Sequence, residues 1–222
     1  MSRISRVVFS MAALIVIASV GMTARADTIT IVGTGSGQSS TASIVCDFNS
    51  QTNTLTFTIT NTSNITSPGS TSTITGIGFD LPPAGNASAS GLNGFTGMQA
   101  PSLSANFTFS DADVGNVPEG FNSNVLDFAF ITGPSGTFSG GSINDGLAPG
   151  ESASFTVTGA AFTGFTAQQI CNAVFVRFQN VPNVSSDVGT PTSVPEPSSI
   201  LLLGGALVGF GGIARRKLRP RS

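Results

Sequence analysis

The chain has 222 residues, of which only 9% are charged, with 27 Gly, 12 Pro, two Cys, no His, Trp or Tyr, and a formal charge of −2. The charge is segregated: Arg3, Arg6 and Arg25 lie at the front, Arg215, Arg216, Lys217, Arg219 and Arg221 at the back, and between residues 27 and 194 the one basic residue is Arg177. A phosphate backbone needs clustered Lys and Arg to displace its counterions, so this distribution excludes nucleic acid as a partner.

The first segment has the layout of a secretory signal peptide. Arg3 and Arg6 supply a positive start, Val7 to Val20 an apolar stretch, and Ala24-Arg25-Ala26 a small-x-small cleavage signature that leaves Asp27 as the mature first residue. An uncleaved amino-terminal anchor is the alternative. Export by the Sec machinery places the body in an oxidising compartment. Its two cysteines, Cys46 and Cys171, would close a loop of 125 residues if paired. In the chain-entropy model such a loop stabilises by roughly 5 kcal/mol. Two and only two cysteines in an exported domain predict a disulfide, with two buried thiols as the alternative.

The body, from residue 27, reads as strand and turn. Residues 52–62, TNTLTFTITNT, alternate strictly, with Leu55, Phe57 and Ile59 on one face and Thr54, Thr56, Thr58 and Thr60 on the other. Further strands are predicted within 72–81, 106–110, 125–131, 152–159 and 173–179, separated by Pro- and Gly-rich turns. Residues 166–173 predict one helical turn capped by Thr166. The expected fold is all-β, a sandwich of short antiparallel strands (Ig-like or jelly-roll-like). Its core draws on Phe48, Phe57, Phe79, Phe107, Phe109, Phe128, Phe130, Phe155, Phe175 and Phe178.

Chemistry is scarce in this body. Without His there is no Ser-His-Asp or Cys-His nucleophile system and no imidazole proton shuttle; without Lys there is no Schiff-base chemistry. No cofactor is expected, and the chain reads as a non-enzyme. Asp111, Asp113, Asn116 and Glu119 offer oxygens of the kind Ca²⁺ takes, but at positions 1, 3, 6 and 9, which is not the EF-hand spacing. The stretch reads as an acidic solvated loop, with Asp111 and Asp113 as its metal candidates.

The last segment joins three parts in order: Val194-Pro195-Glu196-Pro197-Ser198, an uncharged run ending at Ala214, and the cluster Arg215, Arg216, Lys217 and Arg219. Pro195 and Pro197 fix φ and remove two amide donors, which keeps that stretch extended. The uncharged run from Ile200 to Ala214, as a helix, spans roughly 22 Å, short of a hydrocarbon core of roughly 30 Å, and crosses with help from snorkelling cations and local thinning. Positive charge stays on the cytoplasmic side, so both ends put the body across the inner membrane. A plain carboxy-terminal anchor behind a Pro-rich linker is the alternative.

This tail resembles the PEP-CTERM sorting tail, a domain also known as the ice-binding protein C-terminal domain. The resemblance covers about 27 of the 222 residues. It implies an exosortase partner in the inner membrane of a Gram-negative bacterium, cleavage near the Pro-Glu-Pro, and delivery of the body to the cell surface or the extracellular polysaccharide matrix. The shared name is no indication of ice binding, because Thr arrays that order water need several stacked strands and the sequence displays one.

The expected organisation is a signal peptide at 1–26, a β-sandwich domain at 27–180, a linker at 181–193 and a sorting tail at 194–219 with a transmembrane segment at 198–214. The expected role is structural or adhesive, with extracellular polysaccharide as a candidate partner; a glycan- or Ca-binding surface module is the alternative.

Overall fold

The computed structural model describes residues 27–35, 40–64, 69–82, 92–102, 105–115, 125–133, 138 and 141–192. Among these residues ten strands run in chain order as β1 (Asp27–Gly33), β2 (Thr41–Asn49), β3 (Thr54–Asn61), β4 (Thr73–Phe79), β5 (Phe95–Gln99), β6 (Phe107–Val114), β7 (Leu126–Thr132), β8 (Ser152–Gly159), β9 (Val174–Val181) and β10 (Val184–Pro191), with a short helix, α1 (Ala167–Cys171), before β9.

The all-β, antiparallel expectation holds, but the sandwich of two separate sheets does not. The strands form one sheet in the order β5-β8-β3-β2-β1-β10-β9-β4-β7-β6. The join in the middle is made by β1 and β10, through Ile31↔Pro191, Val32↔Thr190 and Gly33↔Gly189. The sheet curls until its two end strands, β5 and β6, lie alongside each other, so that it nearly closes into a barrel. The segment 181–193, expected to be a linker, is for most of its length β10. It is polar and carries Gly and Pro, yet β1 and β9 flank it and pair its backbone.

The interior is a phenylalanine core. Phe57 on β3 stacks on Phe155 of the neighbouring β8, with centroids 5.0 Å apart. Contacts across the interior then bind the two halves: Phe57 to Phe79 of β4 at 5.2 Å, and Phe155 to Phe130 of β7 at 4.5 Å. Such pairs contribute beyond their buried area. Of the expected core, Phe109 and Phe175 are only half-buried, whereas Phe95 and Phe162 are buried and extend it.

The two outer faces differ. Every residue of β4 and β7 is buried, because Phe138 lies against the outside of this half with Leu126, Ala129, Ile131 and Val188. Gly78 makes room for it: a Cβ there would lie 2.4 Å from Leu126 and 3.0 Å from the Phe138 ring. The other half keeps the in–out alternation predicted for β3, with Leu55, Phe57 and Ile59 inward and the threonines outward.

Thr166 caps α1 as expected. Its hydroxyl accepts from Gln169 N at 3.2 Å while the Gln169 side chain accepts from Thr166 N at 2.9 Å, a reciprocal capping box. Ile170 and Cys171 on the buried side of this turn close one end of the barrel.

Candidate functional site

Three surfaces and one junction gather the residues that carry chemistry. At the end of the barrel closed by α1, Cys46 on β2 is bonded to Cys171, with Cα atoms 6.1 Å apart and 125 residues between them. The predicted disulfide is present, and the reading of two buried thiols falls.

At the same end, carboxylates hold the chain that connects β4 to β5. Asp127, 3% exposed, accepts from Leu81 N at 2.6 Å and from Leu92 N, so one side chain grips both sides of the connection. Burial pushes its carboxyl up from the ordinary value, opposed by these two hydrogen bonds. Asp80 is pushed up to about 6, first by burial and second by the charge of Asp127. Asp111 accepts from Gly94 N at 3.1 Å and Phe95 N at 3.2 Å. The stretch from Ser110 to Val114, expected as an acidic loop, belongs to strand β6. Among the described residues no group of three or more His, Cys, Asp or Glu could hold a metal ion. The Asp111 carboxylate is occupied in fastening β6 to the start of β5.

That fastening is half of the barrel seam. At its other end Gln99 of β5 accepts from Phe107 N at 2.7 Å and donates to Ala105 O at 2.9 Å. Between them Gly97 lets the Phe109 ring lie flat against β5, where a Cβ would fall 2.1 Å from the ring. A groove of about 350 Å³ opens beside the seam, lined by Met98, Gln99, Pro101, Asn106 and Phe109 among others.

The third surface is the outer face of β5-β8-β3-β2-β1. Its registers align Thr96, Thr158 and Thr54 in one row and Ser152, Thr60, Ser43 and Thr30 in another, with Thr156, Thr56, Ser154 and Thr58 between. The sequence displays one threonine ladder; the topology sets it among neighbours. Cross-strand bonds knit the array, Thr58 to Ser154 at 2.7 Å and Thr60 to Ser152 at 2.8 Å. The result is a hydroxyl-rich face that also carries the exposed Asp47 beside Thr56, Val45 beside Thr58 and Met98 beside Thr156. Arg177 adds no positive charge to it, because it is 6% exposed and lies under Phe138, donating to Phe138 O at 2.7 Å. The Gln179 amide, oriented to satisfy both of its atoms, accepts from Arg177 Nη2 at 3.1 Å and donates to Gly141 O at 3.2 Å. Burial lowers the Arg177 pKa.

The junction is where β10 leaves the sheet. Thr192 donates twice to Thr30 O of β1, from its amide at 3.0 Å and from its hydroxyl at 3.1 Å. β1 begins at Asp27, paired with Cys46. Both ends of the body therefore emerge at one end of the barrel, next to the disulfide. The residues immediately beyond, 193–217, match the PEP-CTERM protein-sorting motif.

The chain carries a PEP-CTERM sorting tail. The motif implies exosortase-dependent sorting to the cell surface, with exosortase as the processing partner. No curated protein and no solved structure matches the chain. The sorting residues Val194, Pro195, Glu196, Pro197 and Ser198, the cations Arg215, Arg216, Lys217 and Arg219, and the cleavage-site Ala24 and Ala26 lie outside the described residues, as does the expected transmembrane segment 198–214. Among the described residues no helix is long and apolar enough to cross a membrane.

Proposed function

We propose that this chain is an exported, non-enzymatic protein of the cell surface or extracellular matrix of a Gram-negative bacterium. Its tail directs exosortase-dependent release from the inner membrane, and its disulfide-tied barrel serves a structural or adhesive role in the polysaccharide matrix. The observation that carries the reading is the sorting motif at 193–217, which follows the last strand directly. The hydroxyl face supports the matrix role: a hydrated surface rich in Ser and Thr and without a basic residue suits a polysaccharide environment without attracting polyanions.

The test is the intact mass of the protein from surface and membrane fractions, with and without the host's exosortase. The expected mature species starts at Asp27 and ends near Pro195 to Pro197 only when the enzyme is present. A surface species retaining Arg215 to Arg221 in both strains would reduce the tail to a simple anchor.

The hydroxyl face also favours a second reading, a glycan-binding module. Calorimetry of the host's own extracellular polysaccharide against residues 27–192 would separate the two, since a purely structural barrel gives no saturable heat. Ca²⁺ binding receives no such support, because both Asp111 oxygens already accept backbone N–H groups.

A further inference from the structure

The junction between barrel and tail is unusually short. Thr192 is hydrogen-bonded to Thr30, and the sorting motif starts at the next residue. From Thr192 to Pro195 is three residue steps, at most about 10 Å of extended chain. A sorting enzyme's cleft takes an extended strand whose backbone groups are free to pair, reaching to both sides of the bond it cuts. Here the upstream side is already in use. The pairing of β10 with β9 ends at Gly189↔Val176, so beyond it the chain is held by β1 alone, through Thr190, Pro191 and the two Thr192 bonds to the Thr30 carbonyl.

We propose that the docking of Thr192 on Thr30 is a latch that limits exosortase access: the end of β10 must peel from β1 before the Pro-Glu-Pro segment can seat in the enzyme. The inference rests on the sorting reading above. The latch takes no part in the chemistry. The peptide bond near Pro195 to Pro197 is broken by acyl transfer to water or to an acceptor hydroxyl or amine in the sorting enzyme's site; the new acyl bond forms to that nucleophile, and the downstream tail leaves as an amine that takes up the nucleophile's proton. The barrel sets how often the substrate is presented, since only the frayed strand end can enter the cleft. β10 remains paired with β9 through Val184 to Gly189 when its last residues detach, so peeling leaves the fold intact.

The test follows tail loss by pulse–chase and intact mass on the full-length chain in the host, with and without exosortase. Thr192→Pro removes both donors to Thr30 O, and processing should accelerate about tenfold or more, the factor set by two neutral hydrogen bonds of ordinary net strength. Insertion of Gly-Ser-Gly-Ser between Thr192 and Ser193 leaves the latch and the barrel untouched while freeing chain beyond it, and should accelerate processing as well. Wild-type rates in both variants would overturn the latch. So would acceleration by the insertion alone, which would make distance limiting and the Thr30 contact irrelevant. Persistence of the unprocessed wild-type chain with exosortase present would overturn the sorting reading itself, a result distinct from these because the latch variants are read against a processed wild type.

Discussion

Asp80 on the β4–β5 connection titrates at about 6, because it is partly buried and because the Asp127 carboxylate lies near enough to oppose its ionisation. A carboxyl of this type ordinarily titrates at 3.8. Between these two values the folded chain holds more protons than the unfolded chain, so stability falls as pH rises through that window. The Asp80 contribution is complete below 3.8 and lost above about 6. Asp80→Asn should therefore be more stable than the parent at pH 8, with the gap closing in acid. Urea midpoints of residues 27–192 across this range measure it; a gap independent of pH would contradict the assignment.

Asp127 is predicted to be structural. Asp127→Ala strands the Leu81 N–H in a buried setting, which costs about 1–3 kcal/mol, and frees the half-buried Leu92 N–H at a smaller cost. Asp127→Asn, which keeps an acceptor oxygen, should lose less. Equilibrium unfolding of the pair of variants tests the ordering.

Reducing the Cys46–Cys171 bond should lower stability by about 2–5 kcal/mol, the usual cost of losing a native bridge. The check is the urea midpoint of the oxidised protein against that of the Cys46→Ala, Cys171→Ala double variant, whose two small apolar side chains fit the buried site.

The seam predicts a coupled pair. Gly97→Ala drives a Cβ into the Phe109 ring and should cost about 1–3 kcal/mol through overpacking. In the background of Phe109→Ala the same change should cost much less, so the double-mutant cycle should show a coupling energy between the two sites. Simple additivity would mean that Phe109 does not lie on Gly97.

The parts of this fold that were legible in the sequence are those with local causes. Leu55, Phe57 and Ile59 alternate with threonine, and β3 follows; Thr166 precedes a three-residue step to Gln169, and α1 follows. β1 and β2 had the same signal, since Ile29 and Ile31, then Ala42, Ile44, Cys46 and Phe48, recur at every second residue. β10 had none. Val184 to Pro191 is polar and turn-like, and becomes a strand only because two neighbours pair with it. The single sheet was illegible for the same reason, because its join is Ile31 to Pro191, residues from opposite ends of the body. Asp80 and Asp127 meet only once β4 and β7 are side by side, and the hydroxyl face needs β8 beside β3.

The β1–β10 join also dictates when the molecule can fold. A chain exported amino end first delivers β1, β2 and β3 early as a meander, but β3 waits for β8 and β1 waits for the last strand to emerge. Contacts so distant along the chain make folding slow. Cys46 stays a lone thiol until Cys171, 125 residues further along the chain, has emerged. Oxidation of this protein is thus a late event of translocation, and an oxidant that acts too early can only cap Cys46 or join it to another chain.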